Sequence, residues 1–411
     1  MPGSRPRVPA KFNPHPFAYH EEVELQIHSL TNLGVGVARH GEDQWVVFVP
    51  FALPGETVLA RIFRNHKSYS EADLVRVIDP SPNRVEPVCP LFGTCGGCQY
   101  QNFKYSEQLV WKRRQVEELL QRMVGIEAEV QPVIASPKEY HYRSKLTPHF
   151  QKPRCGELSE IGFLKQGRRY DLVDVESCPI AMDQINERLI GVRADVRSRG
   201  SSFKRGATLL LRADKNTVHT ESDAIAEEDV EGVTFRFKAG EFFQNNPYIL
   251  PKFTSFVREQ AAAGGNKYLI DAYCGSGLFG LTSARAFDQV AGIEVSEAAI
   301  DWAKANAKAN GIENVRFING SAEAIFQDVQ FPGSETTVII DPPRKGSNQM
   351  FIDQLQAFGP SRVVYVSCNP ATQMRDLKEF LEIGYEIENV QPFDLFPQTR
   401  HLECIVTLRK A

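Results

Sequence analysis

Several things are missing from this sequence, and each absence removes a class of protein. No uninterrupted apolar run reaches the roughly 18 residues of a membrane-spanning helix, so no membrane partner is expected. The opening MPGSRPRVPAKFNPHPF has basic residues and prolines but no apolar core and no amphipathic pattern. It reads as a disordered lead-in over 1–19, not as a signal or transit peptide. Charge of one sign is also missing: 47 basic residues face 51 acidic ones, for a net charge of -4. Any contact with nucleic acid must then come from a local basic surface. No H-x-E precedes a P-C-x-x-C, which excludes a zinc-dependent deaminase. The 8 cysteines come without a secretory signal, which argues for thiols kept in a reducing, cytoplasmic setting and used for metal or catalysis. There is no internal repeat.

What is present divides into regions. At 411 residues the chain is long enough for two or three domains. Residues 20–82 alternate like short strands: Val23, Leu25 and Ile27, a glycine turn from Gly34 to Arg39, the run Val46–Pro50, then Val58, Ala60 and Ile62 after the turn at Pro54-Gly55. That pattern predicts an OB-like β-barrel. Asp79-Pro80-Ser81-Pro82 reads as a linker. A helix is expected over Ser106–Met123, and a mixed, strand-rich region to about 238 with another helix near 181–198. Beyond it strands and helices alternate, with strands expected at Tyr268–Asp271, Val290–Glu294, Val315–Ile318, Val338–Asp341, Val363–Ser367 and Cys404–Leu408, and the clearest helix at Glu297–Asn310. This is an α/β sheet with helices on both faces.

The turn Asp271-Ala272-Tyr273-Cys274-Gly275-Ser276-Gly277-Leu278-Phe279-Gly280 joins the first of these strands to a helix. Its glycines let the backbone approach a ligand. Glu294, ending the next strand, is placed to accept hydrogen bonds from ribose hydroxyls. Gly275, Gly277 and Gly280 also fit G-x-G-x-x-G, so a nicotinamide dinucleotide is a rival. Asp271 decides against it, because a carboxylate there suits the cationic methionine end of S-adenosylmethionine and would repel a pyrophosphate. The fourth strand ends in Asp341-Pro342-Pro343-Arg344. A similar tetrad with an aromatic in last place marks enzymes that methylate exocyclic amines; arginine removes that stacking platform, and amine methylation becomes an alternative.

The fifth strand ends in Ser367-Cys368-Asn369-Pro370. Uracil carbon 5 is a poor nucleophile until a thiolate adds at carbon 6, so a cysteine at the ligand-binding edge of such a sheet suits covalent catalysis. Glu403, just before the last strand, can then take the carbon 5 proton. The bland alternative for Cys368 is a buried apolar thiol.

Cys89, Cys95 and Cys98 lie on one glycine-rich loop, and Cys178 follows much later. Spacing alone leaves zinc and an iron–sulfur cluster open, with Cys155 a competitor for the fourth place. From His141 to Tyr170, Arg143, Lys145, Lys152, Arg154, Arg168 and Arg169 interleave with Tyr142, Phe150, Phe163 and Tyr170, either an RNA-binding surface or an ordinary solvated one.

Taken together, Phe242-Phe243-Gln244-Asn245-Asn246, Asp271–Gly280, Asp341–Arg344, Ser367–Pro370 and His401–Glu403 resemble the RumA/TrmA family of RNA 5-methyluridine methyltransferases over 20–411. The resemblance is closer to the RumA branch, which carries a TRAM barrel and an iron–sulfur cluster. It implies a class I (Rossmann-like) methyltransferase domain over 104–132 and 239–411. An N-terminal OB-like TRAM barrel over 20–82 and a mixed α+β iron–sulfur domain over 83–103 and 133–238 would complete the chain. It further implies Cys368 as nucleophile, Glu403 as proton acceptor, and Gln244, Tyr273, Glu294 and Asp341 as S-adenosylmethionine contacts. A [4Fe–4S] cluster, in preference to zinc, would sit on Cys89, Cys95, Cys98 and Cys178. The expected enzyme is a monomer acting on RNA, 23S ribosomal RNA before the T-loop of tRNA. A non-catalytic RNA-binding protein of the same fold is a further alternative. Leu278 and Ser321 stand where family members have asparagine, which puts two polar contacts in doubt.

Overall fold

A computed structural model describes residues 8–320, 326 and 329–411. The chain forms two units: residues 1–115, 164–170 and 398–400 make the first, and the rest the second. Among the described residues, no helix is long and apolar enough to cross a membrane.

The first unit is built on a closed barrel of β1 (Glu22–Leu30), β2 (Val35–His40), β3 (Trp45–Pro50), β4 (Thr57–Asn65) and β5 (Tyr69–Asp79), in the order β1-β2-β3-β5-β4. Alternate residues point inward, and Leu25, Ile27, Val47, Val49, Val58 and Ile62 fill the interior. The expected lead-in is ordered from residue 8 onward, while residues 1–7 lie outside the described residues. Phe17 joins the barrel core, and the Asn65 side chain donates to the carbonyls of Asn13 (2.8 Å) and Phe17 (2.7 Å). A single anchoring amide and one buried ring overrode a composition that looked disordered.

Residues 83–103 were expected to join 133–238; they pack with the barrel instead. Tyr100, Phe103 and Trp111 close over Leu30 and Leu53, and Arg84 donates to the fully buried Glu56 carboxylate (2.5 and 2.7 Å). The division between units falls within helix α1 (Tyr105–Leu119).

In the second unit, β6 (Lys145–Leu146), β11 (Leu211–Ala213) and β12 (Val218–His219) form one small sheet. A second contains β7 (His149–Phe150), β8 (Ile161–Leu164), β9 (Leu172–Asp174) and β10 (Ala207–Thr208). Helix α2 (Asp183–Ser198) covers them, and β13 (Ile225–Val230) pairs with β14 (Val233–Lys238) as a hairpin.

The dominant feature is a seven-stranded sheet in the order β17-β16-β15-β18-β19-β21-β20. Its strands are β15 (Tyr268–Ala272), β16 (Gln289–Glu294), β17 (Val315–Asn319), β18 (Thr336–Ile340), β19 (Arg362–Ser367), β20 (Tyr385–Phe393) and β21 (Glu403–Lys410). β15 to β19 run parallel, with β18 and β19 buried throughout, as covering both faces of a parallel sheet requires. β21 runs antiparallel between β19 and β20. The intervening helices are α3 (Leu250–Ala262), α4 (Leu278–Ser283), α5 (Glu297–Ala309), α6 (Gln349–Phe358) and α7 (Pro370–Glu382). Strand β20 escapes the sequence pattern: Tyr385-Glu386-Ile387-Glu388-Asn389 is half polar, a bulge breaks its register at Ile387–Asn389, and Pro392 lies inside it.

Candidate active site

Strand register alone brings the site together. Ala272 lies opposite Ile293 of β16 and Ile340 of β18, and Ile340 lies opposite Tyr365 of β19. The residues that follow at this C-terminal edge are Tyr273, Glu294 and Asp341, with Cys368 just beyond β19. Beside them comes antiparallel β21, with Ser367 opposite Cys404, so continuing that register sets Glu403 against Cys368. Gln373 of α7 secures this edge, donating to the carbonyls of Tyr365 (2.9 Å) and Cys404 (3.0 Å).

These residues line one cavity of about 1190 Å³, together with Gln244, Phe242 and Arg344. That exceeds the ~300–1,000 Å³ typical of a small-ligand pocket and leaves room for two ligands side by side. Gln244 is held by its neighbours. Phe243 stacks on Phe237 at 4.3 Å, and the Asn246 amide donates to Ser136 (3.0 Å) and to the Leu395 carbonyl (2.9 Å). Phe242 remains 78% exposed.

The cavity is acidic but underionised. Burial pushes the Asp341 carboxyl up to about 7 and the Glu403 carboxyl well above its ordinary range. Asp341 raises Glu403 further, and Arg344 opposes. Burial pushes the Cys368 thiol up to about 11; Glu403 and Asp341 add to this, while the charge and a hydrogen bond of Arg344 work against it. A neutral thiol and a neutral acid are the resting forms that low dielectric favours.

At the glycine turn, Tyr273 takes a left-handed backbone (φ 65°), followed by Gly275 (54°) and Gly277 (91°). The Glu294 carboxylate accepts from the N–H groups of Gly275 (3.2 Å) and Ser296 (3.0 Å), tying β16 to the turn. Asp271 was expected to meet a cationic ligand, and it does not line the cavity. It is fully buried beneath the turn and accepts the Gly280 N–H at 2.7 Å. Its carboxylate therefore fixes the start of α4, and the Gly280 hydrogen leaves room for it, with a Cβ there only 3.1 Å from Oδ2. Leu278 lines the cavity with an aliphatic side chain, and Ser321 lies outside the described residues.

A family model described as tRNA (uracil-5-)-methyltransferase matches residues 193–411, which hold every residue of this cavity. The chain belongs to that family. It is an RNA uracil-5 methyltransferase, its cofactor is S-adenosylmethionine, and a TRAM domain matches residues 20–75. A tRNA (uracil(54)-C(5))-methyltransferase of Schizosaccharomyces pombe is 43% identical, covering 96% of this chain and 79% of its own. One of the same name from Saccharomyces cerevisiae is 36% identical, over 95% and 74%. The crystal structure of Pyrococcus abyssi tRNA (uracil-54, C5)-methyltransferase with S-adenosyl-L-homocysteine superposes with a TM-score of 0.72 at 26% identity, covering 94% of this chain and 99% of that one.

For this methyltransferase the structure places Gln244, Tyr273, Glu294, Asp341, Cys368 and Glu403 around one cavity. Among the described residues no group of three or more His, Cys, Asp or Glu is arranged to hold a metal ion. Cys89, Cys95 and Cys98 belong to the barrel unit and Cys178 to the other. Neither a [4Fe–4S] cluster nor zinc is shown for this chain. The basic stretch is likewise divided: 164–170 lies in the barrel unit and 141–163 in the other. Within it Lys145 is spent on structure, donating to the carbonyls of Gly240 (2.9 Å) and Glu241 (3.0 Å). Arg344 was read only as a lost stacking platform; the structure adds it to the cavity lining, where its charge works against the raised Cys368 thiol. A cation replacing the aromatic in a protein with a strand-end cysteine was the available signal.

Proposed function

We propose that this enzyme methylates carbon 5 of the uridine at position 54 of tRNA, with Cys368 as nucleophile and Glu403 as proton acceptor. The observation that carries the chemistry is that Cys368 and Glu403 line the same cavity as the glycine turn, with Ser367 beside the cysteine paired to Cys404 beside the glutamate. The RNA follows from the relatives: both named yeast proteins and the archaeal structure are tRNA uracil-54 enzymes by name. Nothing among them favours 23S ribosomal RNA or the RumA branch.

The cavity's donors and acceptors fit S-adenosylmethionine. Glu294 suits ribose hydroxyls, Asp341 and Gln244 suit polar and cationic groups, and the Tyr273 ring adds an apolar wall. When bound, that cofactor supplies an electrophilic methyl group. The protein does the rest. The Cys368 sulfur bonds to uracil carbon 6 as the ring π pair moves onto the carbonyl oxygen, which makes carbon 5 nucleophilic. After methylation Glu403 takes the carbon 5 proton, the double bond re-forms and the thiolate leaves. A carboxyl with a raised pKa holds that proton firmly. Reaching the base requires it to leave its stack, which costs least in a loop.

The purified enzyme with labelled cofactor should methylate a tRNA transcript at position 54 and not one with cytidine there. Label entering only a 23S fragment would overturn the substrate. The Cys368→Ala enzyme should bind S-adenosylhomocysteine yet lose turnover and the covalent complex with 5-fluorouridine RNA; retained turnover would remove Cys368 from the mechanism. An exocyclic-amine methyltransferase would give no such complex.

A further inference from the structure

The barrel unit carries a surface of one charge in a chain that is net acidic. Its segment 164–170 reads Leu-Lys-Gln-Gly-Arg-Arg-Tyr and is exposed throughout. The Arg168 N–H closes a tight turn on the Lys165 carbonyl at 3.0 Å, with Gly167 at φ 70°, a left-handed geometry that glycine takes without strain. The root of that turn is pinned. Gly96 N–H donates to the Leu164 carbonyl (3.0 Å) and Gln166 N–H to the Thr94 carbonyl (2.8 Å). The loop holding Gly96 also holds 398–400. Buried Gln99 donates its amide to the Gly96 carbonyl (3.0 Å) and accepts the Arg400 N–H (3.1 Å). The N–H groups of Gln99 and Tyr100 donate to the Gln398 carbonyl (3.1 and 3.0 Å), and Gln108 exchanges hydrogen bonds with Gln398 at 2.9 and 3.1 Å. Lys165, Arg168, Arg169 and Arg400 therefore share one hydrogen-bonded base. Neither 164–170, nor 398–400, nor the joining loop 87–103 contains a carboxylate.

We propose that Lys165, Arg168, Arg169 and Arg400 form a docking surface for the phosphate backbone of the RNA substrate. This rests on the enzyme acting on tRNA. All four side chains are exposed, and among the described residues none of them makes an ion pair. Surface cations elsewhere on the same unit are paired, Arg61 with Asp73 and Arg64 with Glu71. Like charges gathered without counter-charges repel, a cost that a polyanion removes. Three of the four are arginines, whose fixed fork of donors matches phosphate oxygens. Their backbone is held before any ligand arrives, which lowers the ordering cost of binding. Tyr170, largely exposed beside Arg169, offers a ring face to a base, and that favours RNA over an acidic protein.

Filter retention of a tRNA transcript by the full-length protein, followed across a salt series, tests this surface. Each lost phosphate contact removes about 0.7–0.9 from the slope of log affinity against log salt. The variant with all four residues changed to glutamine should therefore lose about 3 from that slope and bind at least about tenfold more weakly at 0.1 M salt. Its affinity for S-adenosylhomocysteine should match the wild type. Changing the three arginines to lysine keeps the charge and should keep the slope. If the fourfold variant does not fold, Arg168→Gln with Arg169→Gln carries the comparison, with a loss of about 1.5. Equal slopes for wild type and the uncharged variant would overturn the proposal and leave an ordinary solvated face. Methyl label entering only a 23S fragment would instead sink the tRNA reading, and the salt series on that fragment would then decide the surface.

Discussion

A thiol that attacks must first lose its proton, and a carboxylate that accepts a proton must first be empty. At the scale of single residues the cavity works against both, since burial favours the neutral forms of Cys368 and Glu403. The two groups also repel when charged together, so the productive state has the sulfur committed to the ring before Glu403 acts. The Glu403→Gln enzyme should therefore stop after methyl transfer and accumulate a protein–RNA complex on denaturing gels. Ordinary product yield with nothing trapped would show that another base does the work. Asp376 makes a different kind of contribution: its carboxylate accepts from Ser347 N–H and from the buried Tyr365 hydroxyl (2.6 Å). Asp376→Asn should lower stability by about 1–3 kcal/mol in denaturant titrations, because a buried group loses a charged partner.

At the scale of elements, the glycine turn and the edge of β21 decide geometry. Gly277 sits at φ 91°, and an added Cβ would lie 3.0 Å from the Phe317 ring and 3.1 Å from Leu281. Gly277→Ala should strain the turn by about 1–3 kcal/mol. The loss should appear in calorimetric binding of S-adenosylhomocysteine, with Cys368 alkylation unchanged because that thiol is carried by other elements. Equal affinity in the two proteins would mean that the turn does not hold the cofactor. Strand β21 is the less obvious element. Its antiparallel register delivers Glu403 to Cys368, yet β20, which covers its other side, has no clean period-two pattern. A bulged, half-polar strand is invisible to alternation and stable only because β21 offers a ladder on one side.

At the scale of the whole molecule, the buried carboxyls link folding to pH. Burial raises Asp341 to about 7 and Asp271 to about 8 in the folded chain, and Glu403 rises as well. Folded groups that hold protons more tightly than unfolded ones stabilise below the unfolded carboxyl pKa, near 4, and lose that contribution as pH rises through the folded values. From these groups the ligand-free protein should melt at progressively lower temperature from about pH 5 to pH 8. Asp341→Asn should flatten that slope, since one of the titrations is gone; an unchanged slope would show that Asp341 ionises normally. A cationic ligand favours the ionised carboxylate, so cofactor affinity should rise over the same range.

The sequence by itself determined which polar residues stand at the strand ends and the sheet that carries them. Strand-end residues such as Tyr273, Glu294, Asp341 and Cys368 follow from parallel registers that hydrophobic patterning sets locally. It also determined the barrel, through strict alternation in β1 to β4. Tertiary structure decided what depends on who packs against whom. It turned Asp271 inward to cap α4, because the carboxylate meets the Gly280 N–H before any ligand. It moved 83–103 onto the barrel, because Tyr100, Phe103 and the Arg84–Glu56 pair find their partners there. It tied the Arg344 carbonyl to Asn369 and Thr372, just past Cys368, by hydrogen bonds that spacing along the chain does not show. Spacing along a chain says which groups can be near one another; burial and hydrogen-bond satisfaction choose among them.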